Sequence, residues 1–127
     1  MMTPRAVNIA GALASFDQPW SPRIVGDVND CQIKVVKLDG AFDWHHHAAE
    51  DEAFLVVEGR LRMEFRDGAV DMGPGDLVVV PHGVEHRPVA EPRCSVILFE
   101  PSSTLNTGEI ETERTVRVLE RIGEPTR

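Results

Sequence analysis

The chain has 127 residues, of which 42% are hydrophobic and 27% charged, and its formal net charge is -8. This size and composition are typical of a globular chain with a real core, and they exclude a disordered or fibrous protein. The acidic excess repels phosphate backbones and anionic lipid, so we expect neither nucleic acid nor a membrane as partner. The chain contains no run of 18 apolar residues, so the sequence predicts no membrane-spanning helix.

The two cysteines, Cys31 and Cys94, lie far apart, each inside an apolar run. We interpret them as free thiols in a reducing compartment, which predicts a cytoplasmic protein. Residues 6–14 are weakly apolar, but Asn8 and Gly11 interrupt the run and little basic charge precedes it. This pattern does not favour a signal peptide.

In chain order, residues 8–16 predict a short helix. From residue 32 onward, short apolar runs alternate with turn residues at a spacing that is typical of hairpins. The predicted strands are residues 32–38, 42–47, 53–57, 60–66, 69–72, 77–80, 85–89 and 95–99. Residues 109–122 predict either a helix or an arm that lies on a neighbouring subunit. We see no internal repeat, and we expect one domain over residues 1–127, with a barrel core at about 22–101, an N-terminal segment 1–21 and a C-terminal arm 102–127.

The strand at residues 60–66 alternates apolar and charged side chains. Because successive side chains of a strand leave opposite faces, the inner face carries Leu61, Met63 and Phe65, and the outer face carries Arg60, Arg62 and Arg66. We expect core positions also for Phe54, Val56, Val79 and Leu98. About eight strands with no helix between them predict a β-sandwich or a closed barrel, which hides strand edges.

All five histidines fall in two short segments. His45 and His47 are two residues apart, so in a strand both rings leave one face and can converge on one ion, whereas His46 points away. Glu52 follows a polar turn at the start of the next strand, and a hairpin returns it beside the histidines. Asp51 is the neighbouring carboxylate and an alternative to Glu52.

The second segment, residues 75–86, runs strand, tight turn, strand, and it places His86 at the head of a strand. His82 lies in the turn and is predicted to be solvated. Three imidazoles and one carboxylate fill four positions of a five- or six-coordinate ion and leave one or two for water or a ligand. The sequence therefore predicts a metal site, with ligands His45, His47, Glu52 and His86.

These segments resemble the two motifs of the cupin family. The first motif has a glycine, a His-x-His pair, a glutamate and a second glycine, found here as Gly40, His45, His47, Glu52 and Gly59. The second motif is found here as Gly75, Pro81, Gly83 and His86, and the 15 residues between Gly59 and Gly75 match compact members. The six residues between Glu52 and Gly59 favour Glu52 over Asp51. The surrounding sequence is similar to short one-domain bacterial cupins that are often labelled mannose-6-phosphate isomerase-like, but a shared barrel does not define a reaction.

The resemblance implies an all-β fold: a double-stranded β-helix, or cupin jelly-roll barrel, with short terminal extensions. It also implies one divalent transition-metal ion, Fe, Mn, Ni or Zn, near one mouth of the barrel. Related barrels commonly pair, and apolar residues in both terminal segments need cover, so we expect a homodimer.

Two classes of function are compatible with such a site. The first is a metal-dependent enzyme acting on a small polar metabolite by isomerase or oxygenase chemistry. The second is a small-molecule or metal-binding sensor without turnover. The chain contains no tyrosine, and the sequence identifies no general acid or base, so catalytic residues stay unassigned and the choice stays open.

Overall fold

The computed structural model describes residues 3–123, in which one short helix precedes seven strands. The elements are α1 (Ile9–Ala14), β1 (Arg23–Val28), β2 (Cys31–Ala41), β3 (Glu52–Phe65), β4 (Gly68–Met72), β5 (Leu77–Val80), β6 (His86–Pro101) and β7 (Glu120–Arg121). The fold is the all-β jelly roll that the sequence predicts.

The strands pair in the order β4-β3-β6-β2-β1-β7, and β5 also pairs with β3. All pairings are antiparallel except the short contact between β1 and β7. β3 and β6 are the longest strands, with 14 and 16 residues. β6 lies between β2 and β3, and the inner face of these three strands carries many of the buried core side chains.

In two places, a pair of strands that were predicted separately forms one continuous strand. Residues 53–57 and 60–66 are joined in β3, where the register shifts around Gly59, and residues 85–89 and 95–99 are joined in β6. Gly59 has a φ of +87°, and a Cβ there would lie 2.4 Å from the backbone oxygen of Arg93. Only glycine allows this close approach, which lets the strand bend without ending.

Two other strand predictions differ from the structure. β1 was not predicted, and residues 42–47 do not form a regular strand, since only His45 makes an isolated bridge to His86. Residues 69–72 and 77–80 are confirmed as β4 and β5.

The barrel core follows strand alternation. Leu61 and Met63 are buried and Phe65 is half-buried, while the three arginines of that strand are exposed, as predicted. Phe54, Val56 and Leu98 are also buried. The prediction for Val79 is wrong, since its side chain is 55% exposed. Val80 pairs with the inward-facing Glu52, so the neighbouring Val79 must face outward.

The N-terminal segment covers the outside of its own barrel. Asn8 caps α1 by accepting a hydrogen bond from the Gly11 amide at 2.8 Å. Ala12 and Leu13 are buried against Val35 of β2. The helix is therefore confirmed, although it is shorter than predicted.

The C-terminal segment also packs on its own barrel. Residues 109–122 contain no helix, so that prediction is wrong; their regular structure is β7, which pairs with β1. Thr112 donates a hydrogen bond to Asp43 at 3.1 Å, and Arg114 donates to the backbone oxygen of Ala41 at 2.9 Å. Both terminal segments thus pack on the barrel of their own chain, although Val7, Ile110 and Val118 stay exposed.

Cys31 is half-buried and Cys94 is buried, and both are free thiols, as predicted. Burial raises the pKa of Cys94 to about 11. No helix within residues 3–123 is long and apolar enough to cross a membrane.

Gly108 fixes the C-terminal segment against the histidine segment. Its φ is +64°, and an added Cβ would lie 2.0 Å from the backbone oxygen of His46. We predict that Gly108→Ala lowers the free energy of unfolding by about 1–3 kcal/mol, because the substitution adds backbone strain and a clash. Urea denaturation would measure the loss. Gly26→Ala is the control, since nothing lies within 4 Å of its added Cβ; equal losses in the two variants would contradict the prediction.

Candidate metal centre

Three histidines and one glutamate meet inside the barrel. The possible ligand atoms of His45, His47, Glu52 and His86 all lie within 4.8 Å of one another. All four residues are buried, with exposed fractions of 0–4%. The structure thus brings together the four residues that the sequence singled out.

Three local structures position these side chains. Glu52 is the first residue of β3 and His86 is the first residue of β6. His45 and His86 exchange both backbone hydrogen bonds, at 3.1 and 2.9 Å. The bridge holds their ring centroids 4.3 Å apart, and the ring of His47 lies 5.0 Å from that of His45.

Backbone oxygens orient two of the imidazoles. His45 Nδ1 lies 2.9 Å from the Asp43 oxygen, and His86 Nδ1 lies 2.9 Å from the Val84 oxygen. A carbonyl oxygen only accepts, so Nδ1 carries the proton and donates it in both rings. The lone pair of each neutral ring is then on Nε2, as metal ligation through that atom requires.

Four buried polar atoms of the group have no hydrogen-bond partner within the described part of the chain. These atoms are both ring nitrogens of His47, Nε2 of His86 and Oε1 of Glu52. Glu52 Oε1 lies 3.3 Å from His47 Nε2 and 3.4 Å from His86 Nε2. Unpartnered buried polar atoms are costly, and a shared cation would satisfy Glu52 Oε1, His86 Nε2 and one ring nitrogen of His47 at once. The donor set therefore fits a divalent metal ion.

The charge states agree with this fit. Burial, and then the neighbouring His86 and His47, lower the pKa of His45 to about 4. Burial alone would raise the pKa of Glu52, but contacts from His47, His86 and Glu100 outweigh it and hold that pKa well below its ordinary value. At neutral pH the site thus offers a neutral imidazole and an ionised carboxylate, the forms that bind metals.

A cavity of about 40 Å³ adjoins the group. His45 and Glu52 form part of its wall, so an ion held by the group would face the cavity. The wall is mostly apolar, with Trp20 stacked on Phe42 at a centroid distance of 4.7 Å. Its further polar side chains are Glu100 and Asn106.

The two remaining histidines, His46 and His82, lie outside the group, as the sequence predicts. His46 is half-buried and points to Glu85, with Nδ1 3.7 Å from a carboxylate oxygen. His82 is exposed, and its Nδ1 lies 2.9 Å from Asp51. Asp51 is therefore engaged on the surface, and Glu52 is the inward carboxylate.

Sequence reasoning missed two charged residues beside the group. Lys34 and Glu100 are 1% and 3% exposed, and Lys34 Nζ lies 2.5 Å from Glu100 Oε2. Strand alternation could have shown that both face the core. Lys34 lies two residues from the buried Val36 in β2, and Glu100 lies two residues from the buried Leu98 in β6. Both positions therefore face the core.

The fold and the site define a small jelly-roll barrel with three buried histidines and one buried carboxylate. The chain belongs to the cupin family, whose Cupin domain model matches residues 33–99. The resemblance seen in the two sequence motifs is therefore confirmed.

Individual relatives agree with this family. The crystal structure of a cupin-2 domain containing protein from Shewanella frigidimarina is 43% identical, with a TM-score of 0.74, and the match covers 75% of this chain and 93% of that one. Protein NMB1881 from Neisseria meningitidis is 35% identical, with a TM-score of 0.71, over 77% of this chain and 100% of that one. The uncharacterized protein YdbB of Bacillus subtilis is 36% identical over 64 residues, which are 50% of this chain and 57% of YdbB. The chain thus matches only a little over half the length of YdbB, and none of these three descriptions names a reaction.

The low pKa of His45 makes the stability of the metal-free protein depend on pH. Between the ordinary histidine pKa of 6.5 and about 4, the unfolded chain takes up a proton that His45 in the folded chain does not. Acidification through this range therefore lowers the free energy of unfolding, by up to about 3 kcal/mol. We predict that His45→Gln removes this component. Urea denaturation of both metal-free proteins at pH 7, 5.5 and 4 would measure it, and parallel curves would contradict the assignment.

Proposed function

We propose that the protein is a metal-dependent cupin enzyme that acts on a small polar metabolite. His45, His47, Glu52 and His86 would hold one divalent transition-metal ion, either iron, manganese, nickel or zinc. The observation that carries the proposal is the set of buried, unpartnered ligand atoms at the wall of a cavity. A bound ion would supply Lewis-acid chemistry or oxygen activation at its open positions.

The residues of the chain supply the surroundings for that chemistry. The apolar wall around Trp20 and Phe42 excludes water and strengthens electrostatic interactions inside the cavity. The backbone oxygens of Asp43 and Val84 keep two imidazoles in the ligating tautomer. We further propose that the chain works as one domain and that it is cytoplasmic.

The test of this function is an activity screen on the purified protein. The protein is loaded separately with iron, manganese, nickel or zinc, and oxygen uptake and isomerisation are followed with a panel of hydroxy acids, hydroxy-ketones and enediols. Turnover with any metal supports the enzyme. Metal and ligand binding without turnover supports the second function, a binding or sensor cupin.

The run of three histidines provides a sharp test of the ligand set. We predict that His45→Ala, His47→Ala and His86→Ala each weaken metal binding by more than about 100-fold, since the loss of an outer-shell partner alone costs roughly 10–100-fold. His46→Ala is the matched control and leaves metal binding nearly intact. Elemental analysis and competition with a chelator measure the affinities. If His46→Ala stripped the metal and His45→Ala did not, the ligand assignment would be wrong.

We also propose a homodimer, with a specific interface. Ala53 pairs with Val79 and Phe99, and Leu55 pairs with Leu77. Directly paired residues share a face, so these side chains form an apolar outer face across β5, β3 and β6. Leu77 is 63% exposed and Phe99 is 41% exposed. Such a surface on a single chain favours association with a second copy.

Charged substitutions on this outer face test the dimer. We predict that Leu77→Lys/Val79→Lys raises the dimer dissociation constant at least about 30-fold, because it places charges in an apolar contact. Sedimentation at roughly 20 μM would show a monomer for this variant and a dimer for the wild type. Val118→Lys is the control, since Val118 is 88% exposed and lies outside this face. A wild-type monomer would contradict the proposal.

A further inference from the structure

A buried ion pair lies beside the proposed metal site, and neither cupin motif includes it. The side chains of Lys34 and Glu100 are 2% and 3% exposed, and the two charged atoms are 2.5 Å apart. Burying two charges is expensive, and well-packed apolar residues of similar size are often as stabilising or more so. Fold stability alone therefore does not account for the pair.

Strand register explains where the pair lies. Gln32 of β2 pairs with Glu100 of β6, and Ala53 of β3 pairs with Phe99. One residue further along, Glu100 is opposite Glu52 on the inner face. Two carboxyl groups that face each other across neighbouring strands repel when both are ionised. Lys34 binds Glu100 Oε2 and offsets the repulsion.

The two carboxyl oxygens of Glu100 have different surroundings. Oε2 is held by Lys34, whereas Oε1 is buried and receives no hydrogen bond from an N–H or O–H group among residues 3–123; the Glu100 carboxyl also contacts that of Glu52. Glu100 lines the same cavity as His45 and Glu52, and most other residues of the wall are apolar. Glu100 is thus a buried hydrogen-bonding group on the cavity side of the proposed metal site.

Building on the proposed metal site, we propose that Glu100 contacts the ligand in the cavity. Its Oε1 accepts a hydrogen bond from a hydroxyl group that neighbours the metal-binding oxygen of the ligand. Lys34 is the positioning residue that holds the carboxyl group in place. The ligand class is therefore a small hydroxylated carboxylate or ketone, and not a simple carboxylate.

The experiment compares two probes of equal skeleton, lactate and propionate, which differ by one hydroxyl group. The protein is loaded with Co²⁺, and probe binding is followed by the change in the visible absorption of the metal. Lys34→Met/Glu100→Leu removes the ion pair without leaving one buried charge alone. We expect this variant to keep its cobalt and its propionate affinity within about twofold, while the preference for lactate falls about 5–10-fold, the size of one hydrogen bond.

Two further variants complete the test. Arg62→Gln/Asp71→Asn removes an exposed ion pair of 3.3 Å and is the control, which keeps the wild-type preference. Glu100→Gln serves if the double variant does not fold; Lys34 retains the amide oxygen, the group facing the cavity becomes a donor, and the lactate preference falls in the same direction.

The outcomes separate this inference from the proposed function. A wild-type protein that takes up no cobalt overturns the metal site and the Glu100 contact together. A wild-type protein that binds cobalt but does not prefer lactate overturns the contact alone. The same holds if the variants keep the wild-type preference, if both probes lose affinity equally, or if the double variant loses its cobalt.

Discussion

The ionised Glu52 carboxyl, buried inside the jelly roll, is the constraint around which the site is arranged. A buried charge is tolerated only where partners replace its hydration. Two imidazoles lie within 3.4 Å of Glu52 Oε1, but neutral imidazoles replace only part of that hydration. The strongest compensation available to this donor set is a cation shared by the carboxylate and the three rings. Binding of a cation by this donor set would therefore stabilise the barrel interior.

The same constraint explains why the backbone around the histidines is irregular. Residues 42–47 leave regular strand pairing, yet His45 keeps both hydrogen bonds to His86. A regular strand would hold its carbonyl oxygens in the sheet. Here the Asp43 oxygen instead binds the ring of His45, two residues on. Because this segment leaves the regular sheet pairing, the Asp43 oxygen is free to orient the His45 ring.

The four grouped residues could be predicted because motif spacing and alternation are local properties of the sequence. His45 and His47 are buried and His46 is half-buried, as alternation requires, although the segment is not a strand. Alternation indicates that Lys34 and Glu100 each face the core, but it does not indicate that they pair. The two are 66 residues apart, and their meeting depends on the register between β2 and β6, which no local pattern specifies.

Errors at the ends of the chain have a related cause. The composition of residues 109–122 is suited to a helix, but their side chains find partners on the barrel, and these contacts outweigh local propensity.

The error at Val79 has another cause, because the run of three valines in β5 shows no alternation. Only the pairing of Val80 with Glu52 reveals which of them face inward.

The C-terminal segment contributes to the cavity from outside the two motifs. Asn106 lines the cavity, donates to the backbone oxygen of Arg114 at 2.8 Å and accepts from the Val116 amide at 2.9 Å. Arg114 in turn lies over the rings of Trp20 and Phe42, at 5.5 and 5.6 Å from their centroids. Trp20 and Asn106 of the cavity wall lie outside the matched region 33–99, so barrels that share the four grouped residues can differ in the wall beside them. In this protein the C-terminal segment therefore shapes the cavity together with the histidine group.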